Sequence, residues 1–290
     1  MRIAVIGASG FVGRFLVRFL ADAGADVTVI ARPELRNDSI GLMLVGHDAL
    51  VNCAGTKSGR GENAYEANVR LPLRLLQGVI EAGVPAMIHI SSVAALTSST
   101  KGIEPVTDTY EGRPVSDYGQ SKRAGDDALQ ESASKSSFEG LVLLRPPILI
   151  GAEAGGVYAM IRSMAKAGVP LPLAGTHNRR SYMHVHNLAA AIHAAIGCGL
   201  SGSFIVTDSE PISTEELYRR MVTAAGHRGR LFSIGSAGRG ILRRLLGNRG
   251  DSLFGDAAFS GARFEEQSRV VWPIAPNKTI EATITDCTAQ

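Results

Sequence analysis

The tightest constraint on this chain lies at its start. Ile3-Ala4-Val5-Ile6 is an unbroken apolar run, the pattern of a strand buried on both faces of a parallel sheet. It leads into Gly7-Ala8-Ser9-Gly10-Phe11-Val12-Gly13. Phe15-Leu16-Val17-Arg18-Phe19-Leu20 then has helical character and stops near Gly24. Glycines at that spacing between strand and helix have separate tasks. Gly7 permits a tight turn, Gly10 lets the backbone approach a pyrophosphate, and Gly13 lets the helix lie close on the strand. Unpaired N–H groups at the helix start then face phosphate, with Ser9, Gly10, Phe11 and Val12 at the contact. The pattern predicts a dinucleotide site.

The rest of the N-terminal half follows as an α/β chain with a Rossmann-type doubly wound parallel sheet. Val27-Thr28-Val29-Ile30 is the second strand. An acid for a ribose 2′-hydroxyl is expected at its end, about 20 residues past the fingerprint. Ala31 and Arg32 stand there instead, a cation suited to a 2′-phosphate, so NADP is expected, with NAD as the alternative. Residues 32–48 number only 17, room for one crossover of about 10–12 residues but not for two and a strand. The third strand is therefore expected to be missing or reduced, leaving the second at the edge. Ala49-Leu50-Val51-Asn52-Cys53 is the next strand, and Lys57 follows at its C-terminal end. Residues 62–82 form a helix that Pro72 should bend or restart. Ala86-Met87-Ile88-His89-Ile90 is a strand with Ser91-Ser92 beyond it, where a hydroxyl would point into the ligand crevice. Residues 97–116 read as an irregular loop. Leu141-Val142-Leu143-Leu144 is a strand ending in Arg145-Pro146-Pro147.

Tyr118 and Lys122 are four apart, so on a helix they share a face. A free phenol titrates near ~10. A lysine ammonium held beside it favours the phenolate and should bring that value down. The pair can then give or take a proton beside a carbonyl or hydroxyl.

Past residue 150 the alternation breaks. We assign 1–150 to a dinucleotide-binding domain, with 181–207 returning to it, and 151–290 to a smaller substrate domain. A helical piece is expected near 157–167, a strand at Tyr182-Met183-His184-Val185, a helix over 187–196 and a strand at Phe204-Ile205-Val206. Ser213 and Glu216 have capping-box spacing before a helix. The tail from Arg228 reads as basic, then irregular. His184 and His186 alternate as strand neighbours, and no metal is expected. The chain has 290 residues, 45% hydrophobic and 20% charged, with a net charge of +3, so a large core is affordable in composition and nucleic acid is not expected as a partner. No apolar run reaches the ~18 residues of a membrane helix, so no membrane partner is expected. From the opening residues, Met1-Arg2-Ile3-Ala4-Val5-Ile6-Gly7, no signal peptide is expected. Cys53, Cys198 and Cys287 lack metal spacing and fit reduced thiols in a cytoplasm.

With these motifs placed, the chain resembles the extended short-chain dehydrogenase/reductases, the NAD-dependent epimerase/dehydratase family. GASGFVG, HISSVAAL, DYGQSK, LLRPPILIG and RRSYMHVHNLAAAI fall in that family's order. VPLPLAGTHNRRSYMHVHNL is similar to its surface-polysaccharide branch of UDP-sugar 4-epimerases and 4-reductases. The resemblance implies that Ser92 holds the reacting sugar oxygen and Tyr118 is the acid/base. It implies that Lys122 holds the nicotinamide ribose and lowers the tyrosine's pKa. Lys57 and Pro146 would touch the cofactor, Asn68 would belong to the proton-relay region, and Arg180 and Arg249 would bind the nucleotide diphosphate. A homodimer through helices 63–82 and 118–134 is implied too. The family's third strand and its adenine-side aspartate are missing, and Gly155-Gly156 stands where close relatives carry an asparagine. Ser92 is followed by Val93-Ala94-Ala95, without the acids of a dehydratase. Reduction of a 4-keto-6-deoxy UDP-sugar leads, 4-epimerisation is the alternative, and a non-catalytic NADP-binding member is the third reading.

Overall fold

The computed structural model describes residues 1–36, 40–57, 61–101 and 104–285. Its strands are β1 (Arg2–Ile6), β2 (Asp26–Ile30), β3 (Ala49–Asn52), β4 (Ala86–Ile90), β5 (Leu141–Arg145), β6 (Ile148–Ile150), β7 (Tyr182–His184) and β8 (Gly202–Ile205). Six of them make one parallel sheet in the order β2-β1-β3-β4-β5-β8, while β6 and β7 pair separately. The order reverses between β1 and β3, and ligands of such sheets bind at the carboxyl ends of strands beside that point.

The sheet is covered on both faces. Helix α1 (Phe11–Asp22) lies on one side with the later helix of residues 185–197, over a core that includes Val5, Leu16, Val51, Ile88 and Leu188. On the other side Ala4, Leu50, Leu75, Met87 and Leu129 form the second core. That layer holds α2 (Ile40–Leu44), α3 (Glu62–Tyr65), α4 (Leu71–Glu81) and α5 (Asp117–Lys135). The remaining helices are α6 (Gly156–Lys166), α7 (Val185–Gly197), α8 (Thr214–Ala224), α9 (Gly235–Leu246), α10 (Asn248–Phe254), α11 (Ala262–Ser268) and α12 (Thr279–Ala282). A third apolar cluster joins α6, β7, α8 and α12 through Tyr158, Tyr182, Tyr218 and Ile280.

The short segment behaves as its length requires. Between β2 and β3 the described residues form a 3₁₀ turn, Glu34–Arg36, and the short α2. Residues 37–39 lie outside the described residues. Among the described residues no strand pairs outside β2, and Val29 is 46% exposed on that edge.

Pro72 restarts its helix. Between α3 and α4 the chain makes a π-helical turn over Glu66–Arg70. Proline has no N–H for the carbonyl of Asn68, four residues back. That carbonyl faces α5 at Gly125, where a Cβ would collide with it. The turn therefore places Asn68 against the helix that carries Tyr118.

Two expectations fail. The tail is not irregular: α9, α10, α11 and α12 all lie past Arg228. Glycines at 235, 238 and 240 lower α9's intrinsic propensity and hide it from a propensity reading. His184 and His186 are not strand neighbours either. The strand ends at His184, which caps α7 by accepting from the His186 backbone N–H through Nδ1 at 3.2 Å. Ser213 is a cap as expected, its hydroxyl accepting from the Glu216 N–H at 3.0 Å.

Candidate active site

The fingerprint folds as a tight, bare turn leading into α1. Gly7 has φ +81°, and a Cβ there would lie 2.6 Å from the Ala54 nitrogen at the end of β3. A Cβ on Gly13 would lie 2.6 Å from the Ala8 Cα, so the helix can approach this turn only without a side chain. At Gly10 a Cβ would meet only the Gly7 carbonyl, at 3.2 Å. Gly10 caps α1 in an extended conformation with no side-chain bond, and its exposed backbone and that of Ser9 stand before the helix N-terminus. Phe11 and Val12 are half-buried, the valine packing into the core below. A dinucleotide pyrophosphate fits this bare turn.

At the ends of β3 and β4 the remaining candidates converge. Asn68 is fully buried. It accepts from the Thr56 N–H at 3.0 Å, donates to the Thr56 carbonyl at 3.0 Å and donates to the Ser121 hydroxyl at 2.9 Å. It thereby fixes the segment bearing Lys57, which is exposed next to Thr56. A Cβ on Gly55 would lie 3.1 Å from Asn68 Oδ1 and 3.6 Å from Lys122 Nζ, so these groups share one small space. Ser92 follows β4 and accepts from the Ala94 N–H at 3.2 Å. Pro146, buried at the end of β5, accepts from the Val93 N–H at 3.1 Å and ties this turn to the sheet.

Tyr118 and Lys122 occupy the first turns of α5, which Ser116 caps by accepting from the Gly119 N–H at 3.1 Å. Lysine does not lower the tyrosine here, contrary to expectation. Burial raises the Tyr118 phenol above its usual value; a hydrogen bond with Ser92 pulls it down and the Asp126 carboxylate pushes it up. Lys122 points elsewhere, donating to the Ile90 carbonyl at 2.8 Å. Its own pKa is lowered to about 8 by burial, against the opposing pull of Asp126 and Cys53.

Beneath the lysine lies a buried polar chain that periodicity did not reveal. Asn52 Oδ1 accepts from the Ala54 N–H at 3.0 Å, which turns its Nδ2 to donate to His89 Nδ1 at 3.0 Å. Burial, aided by Lys122, holds His89 well below its usual pKa and so neutral. Its proton then sits on Nε2, facing Lys122 Nζ at 3.5 Å, donor to donor. This explains why the ammonium leans to the Ile90 carbonyl. One turn further along α5, Asp126 pairs with Arg145 Nε at 2.9 Å, both side chains out of solvent. These residues sit on strands and a helix whose neighbours read as core.

The end of β2 corrects the sequence reading more sharply. Arg32 is exposed there. The following 3₁₀ turn, however, brings Glu34 back so that its carboxylate accepts from the Ala31 N–H at 2.6 Å. The site is not free of carboxylate. Pro33 turning the chain just before Glu34 was the available signal.

The two diphosphate candidates lie further out. Arg180 is buried, donating from Nη1 to the carbonyls of Asp251 at 3.2 Å and Gly255 at 2.8 Å, with its Nε unpartnered among the described residues. Arg249 is exposed on α10, the helix that supplies the Asp251 carbonyl. Nearby, a cleft of about 400 Å³ opens between the 175–178 loop and α9, lined by Thr176, Asn178, Arg239 and Arg243. The Thr176 hydroxyl is buried there without a partner among the described residues.

The model of the NAD-dependent epimerase/dehydratase family matches residues 3–203. The chain belongs to that family. It is therefore an NAD(P)-dependent enzyme, and its glycine turn, Ser92, Tyr118 and Lys122 all fall within or beside the matched fold. Relatives include the UDP-glucose 4-epimerase of Vibrio cholerae, 28% identical over 247 residues, or 77% of this chain and 75% of that protein. The dTDP-6-deoxy-L-talose 4-dehydrogenase (NAD(P)(+)) of Kitasatospora kifunensis is 29% identical over 167 residues, 49% of this chain and 51% of that protein. The UDP-N-acetylglucosamine 4-epimerase of Bacillus cereus shares the fold along the full length of both chains, with a TM-score of 0.81 at 18% identity.

Proposed function

We propose that this enzyme reduces the 4-keto group of a nucleotide sugar, a UDP-4-keto-6-deoxy sugar in the first instance. The observation that carries the reading is geometric: the half-buried Tyr118, in the first turn of α5, hydrogen-bonds Ser92 at the end of β4, so one phenol and one hydroxyl can meet the same carbonyl oxygen. Bound NAD(P)H supplies a hydride. Tyr118 Oη then gives its proton to the carbonyl oxygen, and Ser92 Oγ hydrogen-bonds that oxygen and orients it. Lys122 Nζ, leaving the Ile90 carbonyl, stabilises the phenolate that remains. The arrangement of residues 1–150 and 181–207 as the cofactor half and the rest of 151–290 as the sugar half belongs to the same reading. So do a diphosphate contact at Arg180 and Arg249 and an anion-accepting cleft beside Thr176. Arg32 supports NADP, and Glu34 supports NAD; NADP is the first choice and NAD the alternative.

The second reading is 4-epimerisation, favoured by the similarity to the Vibrio cholerae epimerase over three quarters of both chains. It would begin with the tyrosine as a base on an alcohol, the reverse of the proton transfer above, so the fate of the cofactor separates the two readings. Dehydration is not supported, because Val93, Ala94 and Ala95 offer no acid after Ser92. The test is purified enzyme with NADPH and UDP-4-keto-6-deoxy-N-acetylglucosamine. Reductase action oxidises one NADPH per sugar reduced. Interconversion of UDP-glucose or UDP-N-acetylglucosamine with their 4-epimers, without net cofactor oxidation, would replace the reading with epimerisation.

A further inference from the structure

Helix α9 has no fully buried residue, unlike the other long helices. Its inner side is nonetheless held: Arg239 donates to the Ala174 carbonyl at 3.3 Å and Arg243 to the Asp251 carboxylate at 2.6 Å. At 3.6 residues per turn, Ala237, Ile241, Arg244 and Leu245 share the opposite face. All four are exposed, Ile241 by 63% and Leu245 by 79%, and Phe232 just before the helix is 48% exposed. Large apolar side chains on the outside of a helix anchored from within mark a contact surface.

Charge says what covers it. Residues 226–250 contain Arg228, Arg230, Arg239, Arg243, Arg244 and Arg249 and no acid. This segment has a formal charge of +6 in a chain of net +3, and of +5 once the Asp251 carboxylate paired with Arg243 is counted. Two copies of the segment would repel each other. A nucleic acid would match the arginines but leave Ile241 and Leu245 in water. A surface helix with arginines flanking exposed Ile, Leu and Phe suits an anionic lipid surface, with the apolar side chains at the acyl boundary and the arginines at headgroup level.

We propose that α9 docks this enzyme onto anionic membrane surfaces, its Ile241–Leu245 face entering the headgroup layer and Arg244 pairing with lipid phosphate. The expectation of no membrane partner rested on the lack of a spanning segment; among the described residues no helix is long and apolar enough to cross, and surface docking needs none. The inference does not depend on which reaction the enzyme performs.

The test is co-sedimentation of the full chain with vesicles of phosphatidylcholine, alone or mixed with phosphatidylglycerol, at low and high salt. Binding is expected only to the mixed vesicles and should weaken as salt rises. Ile241→Ser with Leu245→Ser should weaken it at least about tenfold, since each side chain loses an apolar contact. Arg244→Gln should weaken it about fivefold. Melting temperature and vesicle-free turnover should stay as in the parent, which separates lost docking from lost folding. Absence of binding to the mixed vesicles overturns the proposal, as does binding that ignores lipid charge and these substitutions. A dimer in light scattering that the Ile241/Leu245 change dissolves would also overturn it, assigning the face to a second copy of the chain.

Discussion

Replacing Arg145 with methionine would strand the Asp126 carboxylate in the middle of the fold. The pair is 2.9 Å apart, with side chains 7% and 0% exposed. Removing one partner of such a pair costs about 3–5 kcal/mol, because the other charge stays buried and uncompensated. At roughly 2 °C or slightly more per kcal/mol for a chain of this length, the melting temperature should fall by about 6–12 °C. The loss has a definite pH dependence. Burial raises Asp126 above the usual carboxylate range and Arg145 opposes this, so deleting Arg145 raises it further. A carboxyl raised in the folded state contributes stability while protonated and loses it as pH climbs through the folded pKa. The gap between parent and variant should therefore be wider at about pH 8 than at about pH 5. Arg145→Met combined with Asp126→Leu should recover most of the loss, since an apolar pair leaves no charge unpaired. Thermal melts followed by circular dichroism read all of this. A single variant that melts with the parent, or a double variant no more stable than the single, would refute the reasoning. The double variant also removes the carboxylate that holds Lys122 up, so its pKa should drop below its present value of about 8.

Tyr118→Phe should bind NADPH as the parent does in a fluorescence titration while turnover falls about 10²–10⁴-fold, the range for a lost general acid. Arg32→Ala should weaken NADPH more than NADH, because only NADPH presents a phosphate to the guanidinium. Glu34→Gln should do the reverse, improving NADPH relative to NADH, and equal effects on both cofactors in either variant would remove that residue from cofactor choice. Gly13→Ala should lower dinucleotide affinity by more than about tenfold in calorimetry, since the new methyl must push against Ala8 in a turn with no slack, an overpacking cost of about 1–3 kcal/mol.

What was legible in the sequence is what local rules control. The glycine fingerprint needed only its flanking strand and helix, and the 17-residue gap before Ala49 set the sheet edge by length alone. Pro72 announced its own restart. The polar chain under the site could not be read this way. Asn52, His89 and Arg145 sit in strands buried on both faces, where every residue reads as core whatever its chemistry. Their partners lie 19 to 37 residues away in sequence. The tyrosine's protonation failed as an expectation for a related reason. Spacing puts Lys122 on the right face, but a carbonyl from β4 competes for its ammonium, and burial then governs the phenol. Glu34 was missed because a 3₁₀ turn, not the strand, delivers it.

The most direct measurement uses NADPH carrying deuterium at the transferable position of the nicotinamide. The enzyme is given UDP-4-keto-6-deoxy-N-acetylglucosamine, and the products are read by mass spectrometry. One deuterium is expected at carbon 4 of the product sugar with one oxidised cofactor per sugar, both signals being lost in Tyr118→Phe. A 4-epimer formed without label and without net cofactor oxidation, or label transfer undiminished in Tyr118→Phe, would contradict reduction at carbon 4 through Tyr118.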